Sequence, residues 1–397
     1  MIVKLALSFI MILVGLLQVA NDQSYVNYYK ASSNNIYNPA ALQELFKKLD
    51  SLLYKNEGRV NIVHIGDSHI QADFFSGELR TRLQNTFGNA GRGFVFPYQI
   101  ARSNGPIDVH VSYSGGWGYN TIMKEKELSN IGASGYALYA SDSAEFWLNT
   151  SRDELNSNSF NKLTIFRSKG TFELIGMDDR IKATGINNST TLPYTTYLLS
   201  GYTDSIGLRA LSTEGSNIEL HGMVLENTSS GILYNAMGTN GSSTVQYLRS
   251  NLFEEQMAAL EADLIIISFG TNDCYLPYSR YCSSCTEDRF KTLIRRIKTK
   301  NPNAAILLTS PADHFYRRRY DNRNLYYLNR SFHHIADEEN VALWDLYSIM
   351  GGSRSIIDWQ RGGLARGDLI HFTKEGYKLQ GKLLYEAFMD SYESRFN

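Results

Sequence analysis

Apolar positions recur along this chain at two different periods. From Asn38 to Lys55 ("NPAALQELFKKLDSLLYK") they have helical spacing, and Asn38 and Pro39 suit a helix start. Val60 to Ile65 is a mainly apolar, β-branched run that reads as a buried strand. "FFSGELRTRLQNTF" (Phe74 to Phe87) returns to the helical period, and glycines 88, 91 and 93 end it. From about Gly105 to Gly231 the rhythm changes to short alternating runs such as "KLTIFRSKGTFELIGM" and "SNIELHGMVLEN", broken by Ser, Asn, Gly and Thr. That pattern predicts an antiparallel sandwich or jelly roll.

The first rhythm then resumes. "STVQYLRSNLFEEQMAALEA", "TEDRFKTLIRRIKTKNP", "RNLYYLNRSFHHIADEEN" and "TKEGYKLQGKLLYEAFMDSYE" read as helices, and "DLIIISFG", "AAILLTSP" and "VALWDL" as buried strands. Alternating helices and strands imply a parallel sheet covered on both faces. The expected organisation is one α/β domain in two parts, 37–104 and 232–397, interrupted by a β-rich insertion over 105–231.

Composition adds constraints. The 397 residues carry 39 Lys and Arg against 40 Asp and Glu, which leaves no electrostatic footprint for nucleic acid or an anionic membrane. An apolar run from Leu5 to Leu17 after Lys4 suits a secretory signal over 1–20, so export to the periplasm or cell surface is expected, with membrane attachment only if the signal is retained. Among Cys274, Cys282 and Cys285 one disulfide and one spare thiol fit an oxidising compartment. Zinc would need four ligands, and no histidine stands at metal spacing from these cysteines. His333 and His334 read as surface or core residues. No metal or organic cofactor is expected.

Four loops carry candidate chemistry. The strand from Val60 breaks into Gly66-Asp67-Ser68-His69 and restarts as a helix, so Ser68 stands where parallel-sheet proteins place ligands. A second buried strand ends in Gly270-Thr271-Asn272-Asp273 and offers the Asn272 amide on the same edge; an Asx turn or helix cap is the plainer reading. "RGDLIHFTKEGY" places Asp368 three residues before His371, ahead of a helix that Thr373 could cap. That spacing lets a carboxylate orient an imidazole. "YNAMGTNGSSTVQYL" holds Gly238 and Gly241 in a loop entering a helix, where a glycine N–H stays open to an oxyanion.

Taken in order, these blocks resemble the SGNH/GDSL hydrolase family, whose four letters fit Ser68, Gly241, Asn272 and His371. The resemblance implies a flavodoxin-like three-layer α/β sandwich. It implies Ser68 as nucleophile, His371 as base and Asp368 as its orienter, with an oxyanion hole from the Ser68 N–H, the Gly241 N–H and the Asn272 amide. Gly241 fits better than Gly238 because Ser-Ser-Thr follows it. His69 replaces the usual leucine, and "GDSHIQADFFSGELRTRLQNTFGNAGRGFVFPY" is similar to the bacterial peptidoglycan O-acetylesterases of this family, which carry a jelly-roll module at the position of the insertion. His69, adjacent to Ser68, is expected to leave the opposite way from the turn and to have a structural or substrate-edge role.

The implied activity is removal of O-acetyl groups from an exported polysaccharide, peptidoglycan above all. Deacetylation of another glycan, acetyl transfer to a sugar hydroxyl, and a non-catalytic glycan-binding protein are the alternatives. The insertion's aromatics (Tyr136, Tyr139, Phe146, Trp147) are expected to be mostly sandwich core.

Overall fold

The computed structural model describes residues 23–124, 130–140, 143–150, 158–176, 178, 180–188, 194–212 and 218–396. The expected signal over 1–20 lies outside the described residues. Among the described residues no helix is long and apolar enough to cross a membrane.

The central sheet has six strands: β1 (Ile36–Tyr37), β2 (Arg59–Gly66), β3 (Gly231–Gly238), β4 (Leu264–Ser268), β5 (Ala305–Thr309) and β6 (Ala342–Trp344), in the order β1-β6-β5-β4-β2-β3. All neighbours run parallel except β1, which pairs antiparallel with β6. The apolar residues of these strands are explained by two cores. Val63, Ile65, Ile265 and Ile267 face one side; Val60, Ile62, Leu264 and Ile266 face the other. The first face packs on α4 (Ser283–Lys300) and α5 (Asn324–Glu338), through Phe290, Ile294, Leu328 and Phe332. The second packs on α1 (Gln43–Asp50), α3 (Phe74–Phe87) and α6 (Lys374–Glu393), through Phe46, Leu83, Leu383 and Phe388. This is the three-layer α/β sandwich expected. β2 lies between β3 and β4, so the chain leaves β2 to opposite sides and a crevice opens at its carboxyl end.

Two local expectations change. Gly231 to Gly238, which the sequence presents only as the approach to a glycine loop, is β3, an edge strand parallel to β2 over its whole length. The single helix expected over "STVQYLRSNLFEEQMAALEA" is two short ones, Thr244–Tyr247 and Phe253–Ala259. Between them the Ser250 hydroxyl donates to the Ile131 carbonyl at 2.5 Å, and Arg296 donates to the Leu248 carbonyl at 2.6 Å. These tertiary bonds outweigh the local helical period.

The β-rich segment forms two antiparallel sheets, of seven and four strands. A strand upstream of Gly105, Gly93–Val95, pairs with Ile218–Glu226 of the larger one. The apolar core runs without a break from the central sheet into these strands, taking in Phe94, Phe96, Leu138, Phe160 and Leu220. Tyr136 and Phe146 belong to that core, while Tyr139 and Trp147 are half-exposed at its margin.

A buried ionic knot ties the same region to α3. Arg92, 1% exposed, donates to Asp73 at 2.8 Å and to Asp108 at 2.5 Å, and Arg80 reaches Asp73 at 2.7 Å. Asp73→Ala would leave two guanidinium groups buried beside a single remaining carboxylate. It is expected to lower stability by roughly 3–5 kcal/mol, measured by urea denaturation.

Cys282 and Cys285 form a disulfide at the start of α4, and Cys274 is buried and free. His333 lies 3.0 Å from an Asp345 carboxylate oxygen. His334, with Glu287 and Glu338, makes a group of side chains able to gather a cation, and Lys291 already occupies it, 2.7 Å from Glu287 and 2.5 Å from Glu338.

Candidate active site

Ser68 begins α2 (Ser68–Gln71), the single turn that follows β2. Asp67 caps it: its side chain accepts the His69 N–H at 3.0 Å, and its carbonyl accepts from Ile70 and Gln71. The Ser68 hydroxyl therefore stands at the mouth of the crevice, half-exposed.

The Asp368–His371 loop comes from far along the chain and is braced on both sides. Leu369 is held at a φ of +55°, which turns the carboxylate back over the loop. Arg366 N–H donates to the His371 carbonyl at 2.8 Å, and Phe315 N–H to the Leu369 carbonyl at 2.9 Å. Thr373 then caps α6 by accepting from Gly376. The outcome is a continuous chain: Ser68 Oγ to His371 Nε2 at 3.0 Å, and His371 Nδ1 to Asp368 Oδ2 at 2.9 Å. The other Asp368 oxygen accepts the Ile370 and His371 N–H groups at 3.0 and 2.9 Å. Burial alone would raise this carboxyl, but the hydrogen bonds from His371 and Ile370 outweigh it and hold it below the ordinary value. It is therefore a carboxylate, and it fixes the imidazole with a proton on Nδ1 and a lone pair toward Ser68.

Gly241 sits at a φ of +77° and its N–H has no acceptor among the described residues. Gly238 ends β3, where a Cβ would collide with the Gln71 backbone, so close packing accounts for this glycine. Asn272 aims its amide into the same space, donating to the Ser242 carbonyl at 2.9 Å and more weakly to Asp67 Oδ2 at 3.3 Å. The neighbouring Asp273 accepts from the Thr244 N–H and hydroxyl at 3.1 and 2.5 Å, which anchors the far end of the glycine loop. Ser68, Gly241, Asn272, Asp368 and His371 thus meet at one place.

Three neighbours complete the site: His69 departs from its expected direction, and Gln71 and Asp67 escape sequence reasoning. His69 does not point away from the site: its ring stacks on His371, with centroids 5.3 Å apart, and Tyr377 OH is 3.0 Å from its Nδ1. The turn at Ser68 is helical, so adjacent side chains diverge by about 100° rather than opposing each other. Burial first, then the His371 and His314 rings, keeps His69 well below its usual range, so it is neutral and does not oppose positive charge on His371. Gln71, buried, accepts the Asn240 N–H at 2.6 Å and donates to Ser103 and the Asn104 carbonyl, pinning the glycine loop to the nucleophile turn. Its only advance signal was a polar residue one turn after Ser68.

The third is Asp67, fully buried between Ser68 and Asn272. Burial pushes its carboxyl up to about 7, the His69 N–H opposing and the Asp273 charge reinforcing the shift. An acid raised on folding favours the fold fully below its unfolded value near 4. That contribution is lost as the pH climbs through about 7. Asp67→Asn removes the titration, so its stability relative to the native chain should rise by on the order of 2–4 kcal/mol between pH 4 and pH 8. Thermal melts across that range measure the trend, and a flat difference would contradict it.

The GDSL-like Lipase/Acylhydrolase family model matches residues 201–379, a span that holds Gly241, Asn272, Asp368 and His371 but not Ser68. No sequence among curated proteins matches the chain. Among solved structures, a peptidoglycan O-acetylesterase superimposes with a TM-score of 0.73 at 22% identity, covering 92% of this chain and 98% of that one, so the two share a fold. The acetylxylan esterase Axe2 from Geobacillus stearothermophilus is 17% identical over 41% of this chain and 73% of its own, with a TM-score of 0.31, a likeness too slight to carry an argument.

Proposed function

We propose that the chain is a GDSL-like serine acylhydrolase, an exported O-acetylesterase acting on an acetylated polysaccharide, peptidoglycan in particular. The observation that carries the reading is the hydrogen-bonded chain Ser68–His371–Asp368 at the carboxyl edge of a parallel sheet, facing the open Gly241 N–H and the Asn272 amide. The esterase class is supported by the family match, and the glycan by the full-length likeness in fold to a peptidoglycan O-acetylesterase. Export is supported by the apolar run from Leu5 to Leu17.

The chemistry follows from the geometry. Ser68 Oγ attacks the acetyl carbonyl carbon while its proton passes to His371 Nε2. The carbonyl oxygen becomes an oxyanion, held by the N–H groups of Ser68 and Gly241 and by the Asn272 amide. The Asn272 hydrogen that rests weakly on Asp67 is the one free to turn to it. Collapse breaks the ester bond, and His371 returns the proton to the departing sugar oxygen. Water then attacks the acetyl-Ser68 ester, giving its proton to His371, and acetate leaves as Ser68 regains its hydroxyl.

Acetate release from O-acetylated peptidoglycan, compared with acetylated xylan and with Ser68→Ala as control, tests the reading. Release from peptidoglycan that depends on Ser68 is expected. Hydrolysis of simple acetyl esters with no release from either polymer would refute the polysaccharide substrate and leave the esterase.

A further inference from the structure

Beside the catalytic loop lies a groove of about 460 Å³ that the proposed chemistry does not use. One wall is Leu276, Pro277 and Tyr278, which continue the segment carrying Asn272; the other is a hairpin of Phe315–Tyr316 and Tyr320–Asp321. The hairpin braces the triad directly, through the Phe315 N–H on the Leu369 carbonyl. Tyr275 joins the two walls: its hydroxyl accepts the Arg317 N–H at 2.9 Å, and its ring lies 5.1 Å from that of Tyr316.

The groove's charge sets it apart. Arg319 and Arg323 line it, and Arg317, whose guanidinium lies over the Tyr316 ring, and Arg318 stand in the hairpin turn; all four are exposed and make no ion pair among the described residues. The nearby carboxylate, Asp321, is already matched by Arg354 at 3.2 Å. A chain with a net charge of −1 therefore concentrates unmatched guanidinium groups at one edge of its site. Tyr278 and Tyr320 are 55% and 56% exposed, flat surfaces of the kind on which sugar rings stack.

We propose that this groove is a subsite for carboxylate groups on the glycan strand next to the acetylated sugar, so that the enzyme selects an acidic acetylated polymer. The inference rests on the polysaccharide reading above and specifies its substrate. Arginine forks pair with carboxylates in a planar, two-bond geometry, and the tyrosines hold the adjoining sugar. The carboxylate can come from the stem peptide or from the sugar's own lactyl ether, and the test separates these sources.

The exposed double variant Arg319→Gln/Arg323→Gln should fold as the native chain does. Its kcat/KM on O-acetylated peptidoglycan, taken relative to that on p-nitrophenyl acetate, should fall about fivefold to tenfold at low ionic strength. The native ratio should fall with added salt and the variant's should not. Intact peptidoglycan and strands stripped of peptide by an amidase show which carboxylate is read, by which of the two suffers the larger loss. An unchanged ratio, or an equal loss on neutral acetylated xylan, overturns the proposal. If the native chain releases acetate from no polymer, the polysaccharide reading has failed. Co-sedimentation of Ser68→Ala protein with the acidic strands, with and without the arginine changes, then decides the groove by itself.

Discussion

Ser68→Ala and His371→Ala should each abolish hydrolysis of a simple acetyl ester, by on the order of 10⁴-fold or more, with the fold intact. Neither side chain is packed in the core: Ser68 is half-exposed, and His371 is held by a loop whose bonds are mostly backbone. Asp368→Asn should cost a similar factor for a different reason. Its remaining oxygen can still accept the Ile370 and His371 N–H groups, so the loop survives. Its new amide would donate to His371 Nδ1, force the ring proton onto Nε2, and leave Ser68 facing a donor instead of a base. Near-normal turnover in His371→Ala would move the base to His69, whose ring is stacked on the same spot.

Asn272→Ala should lower kcat by ~10²–10³ with little change in KM, because its amide is needed once charge has developed on the acetyl oxygen. Asn272 also holds the Ser242 carbonyl, so a purely structural role is the competing explanation. Steady-state kinetics separate the two: losses divided equally between kcat and KM would mark it as a brace for the glycine loop.

The parts of this site that lie on strand ends were legible in the sequence, because a buried strand is recognisable and its carboxyl end has a known use. Ser68 and Asn272 follow such strands, and Asp368 with His371 is a spacing within one loop. What the chain does not advertise is convergence from elsewhere. Gln71 looks like an ordinary polar helix residue until Asn240 and Ser103 arrive beside it. The brace from Phe315 belongs to a two-residue strand too short for any period to reveal. β3 was hidden because Asn235 interrupts its apolar run and it ends in the glycine loop. The break at Ser250 comes from a carbonyl in a distant segment, which no local pattern contains.

The strand Gly93–Val95, given over to the larger β-sheet, has a consequence for how the catalytic sheet is assembled. β2 finds its neighbours β3 and β4 only after the whole β-rich segment has intervened, a closure that is entropically costly for a loose chain. The folded sandwich removes much of that cost. It brings Asn227 N–H to the Ala90 carbonyl at 3.0 Å and Ile232 N–H to the Gly88 carbonyl at 2.8 Å, delivering β3 to the side of β2 already in register. The β-rich segment is thus a clasp as well as a surface. Among its described residues only Trp117–Thr121 with Tyr136–Ala140 and Ala183–Asn188 with Tyr194–Thr203 pair as consecutive strands, so the clasp is itself tied by contacts distant in sequence.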